Sequence, residues 1–206
     1  TPLEVIGRDI YIREGCYNCH SQLVRPFRYE TERYGEYSKA GEYVYDHPFQ
    51  WGSKRTGPDL HRVGQKYPSL WHVRHMDRPA STTPGSVMPA YTHLKTHPID
   101  ASDIGAKLRA LRAVGVPYTD GEIESAQASI EAQAKTIAAE VEAQQGPKGL
   151  ADKEITALAA YLQRLGTDIK WKRPQPQAPS ITLPADAIAP AAARPAFASG
   201  GPDASA

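Results

Sequence analysis

Gly15-Cys16-Tyr17-Asn18-Cys19-His20 holds both cysteines of the 206-residue chain, with two residues between them and a histidine directly after the second. Two thiols one short turn apart can each form a thioether to one of the two vinyl groups on a porphyrin edge. The next residue is then carried beneath the ring, where an imidazole nitrogen can ligate iron. The pattern reads as a c-type haem attachment site. A redox-active Cys-x-x-Cys pair would explain the cysteines but leave His20 incidental, and no strand pattern of a βαβ unit surrounds it. Half of a zinc site would need a second ligand pair, and the sequence contains no further cysteine.

Composition bounds what can be built around this motif. With 40% hydrophobic residues the chain can bury one modest core, with appendages. Lys+Arg 24 against Asp+Glu 23 leaves a formal charge of +1, so there is no global electrostatic case for binding nucleic acid. Both cysteines belong to one motif, which excludes a disulfide framework. Covalent haem attachment places a bacterial protein outside the cytoplasm, an inference from the motif alone. The sequence has no signal-peptide pattern and no run of about 18 apolar residues. A soluble protein, or one whose targeting or anchoring segment precedes Thr1, fits equally.

Outward from the motif, Leu3, Ile6 and Ile10 fall at helical spacing and predict a short helix over 3–14 that delivers Cys16. Gly7 inside it costs about 1 kcal/mol against alanine, which a close helix crossing would explain. The partner is expected near the C-terminus. There Asp152 caps an amphipathic helix carrying Ile155, Leu158, Ala159, Leu162 and Leu165, closed by Gly166, with Tyr161 near Gly7. Residues 21–56 are rich in tyrosine and arginine and lack periodicity, as a connection that wraps a ligand or meets a partner would be. Arg25, Arg28 and Arg55 are candidates to grip haem carboxylates, with solvated surface arginines as the alternative.

A ligand histidine generally donates its second ring nitrogen to a fixed acceptor, and the Pro58 carbonyl in Thr56-Gly57-Pro58-Asp59-Leu60 suits that role. Ser69 to Arg78 reads as a helix capped by Ser69 and stopped by Pro79, with His72 and His75 as surface or interface histidines. The sixth position on iron calls for one of two methionines. Met76 sits in that helix and suits a core role. Met88 stands in a proline-bounded loop that can aim a thioether, and is preferred, with His93 or His97 as the lesser alternative. A helix over 102–113 follows. Thr119-Asp120-Gly121-Glu122 then has capping-box spacing and opens an alanine-rich helix to about Gln145, its narrow Ile123, Ile130, Ile137 stripe set against an acidic face. From Lys172 the proline- and alanine-rich sequence predicts a disordered tail.

With these residues in place, the chain resembles the monohaem cytochrome c subunit of cbb3-type cytochrome c oxidases. The resemblance rests on Gly7-Arg8-Asp9-Ile10-Tyr11 through Cys16-Tyr17-Asn18-Cys19-His20, and on the run from Asp46-His47-Pro48-Phe49-Gln50-Trp51-Gly52-Ser53-Lys54-Arg55 to Leu60. It also rests on Met88-Pro89-Ala90-Tyr91 and Val114-Gly115-Val116-Pro117-Tyr118. It covers about residues 1 to 120 and the final helix. It implies one haem c held covalently by Cys16 and Cys19, with His20 and Met88 as axial ligands. It implies a relay from a partner cytochrome c subunit to a membrane-embedded haem b and copper subunit that reduces oxygen. It further implies a place on the periplasmic side of the bacterial inner membrane, through an anchor that these residues do not contain.

The expected fold is mainly α: a cytochrome c-like helical domain around one covalently bound haem over 1–171, with long loops and a helical insertion at 117–148. A disordered tail over 172–206 completes it. The expected function is electron transfer within a terminal oxidase, with no bond-making catalysis by this chain. A free-standing periplasmic shuttle cytochrome is the alternative, and an open-iron enzyme or sensor a third reading.

Overall fold

A computed structural model describes residues 1–168. The tail expected over 172–206 lies outside the described residues. Those described are mainly helical in a cytochrome c-like arrangement, with one isolated β-bridge between Pro98 and Lys153.

The first helix, α1 (Pro2–Arg13), starts on a complete capping box between Thr1 and Glu4, with Pro2 in the first turn, where a missing N–H costs nothing. It buries Leu3, Ile6, Ile10 and Tyr11. The last helix, α8 (Glu154–Arg164), buries Ile155, Leu158, Ala159 and Leu162. The two cross at Gly7. A β-carbon built there would lie 2.7 Å from the Ala157 carbonyl carbon and 2.8 Å from Tyr161 Cβ, so only glycine lets the backbones approach this closely. Tyr11 meets Tyr161 edge-on at 5.4 Å just beyond the crossing, a pairing worth about 0.5–1.5 kcal/mol beyond its burial. At the end of α1, Arg13 grips both carboxylate oxygens of Glu154 at 2.7 Å. This puts a cation at one helix C-terminus and an anion at another's N-terminus, as the helix dipoles favour. Asp152 does not cap α8: Lys153 holds the cap position, and Asp152 is paired with the Lys153 ammonium at 2.8 Å.

The connection after the motif is irregular apart from α2 (Arg28–Tyr34) and a 3-10 turn at Ala40–Tyr43. Helices α3 (Ser69–Asp77) and α4 (Pro79–Thr82) follow. Ser69 is not the cap of α3. Pro68 occupies that position, and the buried Ser69 hydroxyl donates instead to Glu140 at 3.4 Å. Helix α5 spans Ile104–Ala113. The expected single helix to Gln145 is broken in two, α6 (Asp120–Glu124) and α7 (Ala126–Ala143). The break falls at Ser125, whose hydroxyl donates back to the Gly121 carbonyl at 2.6 Å, a local bond that competes with helix continuation. The capping box of Thr119 and Glu122 is present. Ile130, Ala134, Ile137 and Val141 of α7 are buried, and the helix packs on α1, α3 and α8 while Glu131, Glu140 and Glu142 stay exposed.

Candidate haem site

Gly15, at φ 71, turns the chain off the end of α1 into a 3-10 turn at Cys16–Asn18. The His20 amide donates to the Cys16 carbonyl at 3.0 Å, closing the short turn that the motif requires. Cys16 is half-buried against the core, Cys19 is exposed, and both thiols are unbonded. Burial pushes the Cys16 thiol up to about 12. A thiol raised this far is no thiolate at neutral pH, so Cys16 is not an activated nucleophile.

His20 is held on its other ring nitrogen. Nδ1 lies 2.8 Å from the Pro58 carbonyl oxygen. A carbonyl can only accept, so Nδ1 carries the proton and the lone pair belongs to Nε2. Burial lowers the affinity of His20 for a second proton, outweighing the opposing pull of the Pro58 carbonyl. The imidazole is thus kept neutral and able to ligate a metal.

The proline turn is itself clamped. Gly57 N donates to the Cys19 carbonyl at 2.9 Å and Leu60 N to the Ser21 carbonyl at 2.8 Å. Buried Asp59 accepts from Ser21 Oγ at 2.6 Å, Leu23 N at 2.7 Å and His61 N at 2.8 Å. A side chain at Gly57 would fall on the imidazole, 2.7 Å from Nδ1 and 2.8 Å from Nε2.

His20 faces a cleft of about 530 Å³. Cys16, Met76, Met88, Tyr67 and Trp71 share its walls, with Leu158 and Leu162 of α8 behind. Pockets of this size and lining take small molecules and cofactors. Two buried polar atoms on its wall, Tyr11 Oη and His72 Nε2, have no hydrogen-bond partner among the described residues. A cleft in an otherwise packed core, a metal-ready imidazole, a thiol pair beside it, two thioethers and orphaned donors together fit a haem. A larger groove of about 740 Å³ is lined by polar residues of α7 and α8 such as Gln133 and Gln163, and holds none of these groups.

The arginines singled out in the sequence do not reach the cleft. Arg25 and Arg55 both engage Glu30, which is fully buried, and Arg28 pairs with Glu32 on the surface. The cations at the cleft are Arg33, Arg62 and Lys66, of which Arg62 is held by Glu42. His72 is not a surface residue but 2% exposed, and burial lowers it to about 4. His75 packs between Trp71, stacked at 4.5 Å, and Thr82 Oγ1 at 2.6 Å. His93 and His97 lie off the cleft, 3.2 Å from Glu14 and 3.6 Å from Glu154. Trp71 and His75 lie four apart on α3, with Tyr67 four residues before Trp71, a spacing that could have shown that this face of α3 lines the cleft.

A family model described as "Cytochrome C oxidase, mono-heme subunit/FixO" matches residues 1–169. The chain belongs to this family. FixO membership makes it a mono-haem subunit of cytochrome c oxidase and implies a catalytic partner subunit. A comparison with individually curated proteins gives no match. Among the described residues of this FixO chain, no helix is long and apolar enough to cross a membrane.

Proposed function

We propose that the chain binds one haem c through thioethers from Cys16 and Cys19, with His20 and Met88 as axial ligands. On this reading it relays electrons from a partner cytochrome c to the haem b and copper subunit of a cbb3-type oxidase, on the periplasmic side of the inner membrane. When bound, the haem supplies a reversible one-electron couple. The observation that carries the reading is the pairing of His20 Nδ1 with the Pro58 carbonyl, which leaves Nε2 neutral in a cleft shared with Cys16 and Met88.

The chain's own residues set the conditions for that couple. With His20 and Met88 both holding the iron, no position would be left for oxygen, and the Met88 thioether would favour ferrous iron and raise the potential. Met76 also faces the cleft, but its side chain packs on the core cluster, whereas Met88 does not. Met88 comes from a loop in which its amide donates to Ser86 Oγ at 3.2 Å. Replacing Met88 by alanine is expected to remove the near-infrared sulfur-to-iron band and lower the potential. Met76→Ala is expected to keep the band and lower stability instead. Retention of the band in Met88→Ala would refute the ligand assignment.

A further inference from the structure

The long connection carries an aromatic surface that the haem site does not use. Phe49 and Trp51 stack face to face at 4.4 Å while staying 51% and 39% exposed. Both rest on the edge of buried Tyr43, at 6.3 and 5.6 Å. Tyr43 is fixed from beneath, its hydroxyl 2.8 Å from the Gln22 carbonyl and 2.9 Å from His61 Nδ1. Two stacked rings held open to solvent by a rigid support form a preorganised surface rather than a loosely collapsed loop.

This surface is joined directly to the haem-binding motif. Gln22 N donates to the Trp51 carbonyl at 2.7 Å. At Gly52 a β-carbon would lie 2.6 Å from the His20 carbonyl oxygen and 3.0 Å from that of Tyr17, so the strand of chain bearing the rings runs against the motif backbone. Arg8 of α1 donates to the Pro48 carbonyl, anchoring the other end. Cys19, the exposed member of the pair, lies in this same stretch of backbone. A partner seated on Phe49 and Trp51 would therefore sit beside the Cys19 edge of the site.

The chemistry indicates which kind of partner. Residues 47–53 contain no Asp, Glu, Lys or Arg. Charge depletion with aromatic enrichment is the composition of an interface core. As a subunit of cytochrome c oxidase the chain has a standing catalytic partner, and permanent subunit contacts are the more apolar class. A lipid surface would call for a cluster of basic residues, which this stretch lacks.

We propose that Phe49 and Trp51 form the centre of a permanent docking surface for the oxygen-reducing subunit of the oxidase, holding the Cys19 edge toward it. The proposal rests on the electron-relay reading above. It is tested by isolating the full chain with its oxidase from membranes of a producing host, as wild type, F49A/W51A, the milder F49S, and V114S. Val114 is 55% exposed at the end of α5 and serves as the control. The expected result is an unchanged haem spectrum in every variant, at least tenfold less chain retained with the oxidase in F49A/W51A, partial loss in F49S, and full retention in V114S. If the double variant fails to acquire haem, F49S decides. Stoichiometric retention of both ring variants overturns the docking surface. Wild-type chain that retains no haem–copper subunit overturns the electron-relay reading instead. Ring variants that lose binding to phosphatidylglycerol vesicles, or lose a concentration-dependent dimer, yet stay with the oxidase overturn the proposal in favour of lipid or a second copy.

Discussion

Gly7→Ala sets two known effects against each other at the helix crossing. Alanine is favoured over glycine inside an isolated helix by about 1 kcal/mol, so α1 alone would gain. In the folded chain the added methyl meets the Ala157 carbonyl carbon at 2.7 Å and Tyr161 Cβ at 2.8 Å, with the Ala157 oxygen nearer still. Real β-carbons do not approach to within 3.0 Å. The obstructing atoms are largely backbone and cannot rotate aside, so α1 and α8 must move apart. Overpacking of this kind costs about 1–3 kcal/mol or more. It also disturbs the Tyr11–Tyr161 pair, a further fraction of a kcal/mol. The balance is a net loss of about 2 kcal/mol, which in a domain of this size lowers the melting temperature by about 4–8 °C. Thermal unfolding of the haem-loaded chain, followed by far-ultraviolet circular dichroism, measures it. An unchanged or raised melting temperature would falsify the claim that Gly7 exists for the crossing.

Gly57→Ala directs a methyl onto the His20 imidazole, so the hydrogen bond to Pro58 should be lost and the iron ligation proposed for His20 should weaken about tenfold or more. The measure is the fraction of low-spin absorption, and a wild-type spectrum and potential would contradict the geometry. Glu30 is fully buried, and burial alone would raise its pKa; bonds from Arg55 and Arg25 outweigh that and hold it at about 2, against an ordinary 4.5. Its folded-state pKa is depressed, so its contribution of about 3 kcal/mol is present above about pH 4.5 and fades as pH falls toward 2. Urea unfolding midpoints across this window should drop in the wild type and stay nearly flat in Glu30→Gln, which starts lower. Parallel acid limbs would reject the assignment.

Residues that act through local spacing were readable in advance. Leu3, Ile6 and Ile10 marked α1, the glycine among them implied a close crossing, and Tyr161 was found at it. The capping box at Thr119 was readable for the same reason. What escaped depends on where folding carries a side chain, and in part on partners far along the chain. Arg25 and Arg55 looked available for a ligand because nothing local shows that Glu30 would be carried into the interior between them. Ser69 and Asp152 have good capping chemistry, yet Glu140 and Lys153 claim their side chains. His72 carries no local sign of burial; only the packing of α3 on α7 and α8 makes it interior.

The two sides of the cleft are built with unequal rigidity, and this has a consequence for unfolding. On the His20 side, the motif and the proline turn share two backbone hydrogen bonds. Asp59 adds three more, and α1 with α8 backs the whole arrangement. On the Met88 side, Pro84, Gly85, Val87, Pro89 and Ala90 are exposed, and Val87 is 81% so. The loop is held by Ser86 N to Thr83 O at 3.1 Å, Met88 N to Ser86 Oγ at 3.2 Å and Tyr91 N to Met76 O at 2.8 Å. Segments with few buried contacts open locally at a fraction of the global free energy. The sulfur-to-iron bond proposed for Met88 is therefore expected to break at a lower urea concentration than the helices melt. A denaturant titration that records the near-infrared sulfur band and far-ultraviolet dichroism on one sample separates the two events. Coincident transitions would mean that the loop is held as firmly as the histidine side, and that the coordination bond itself supplies the anchoring its backbone lacks.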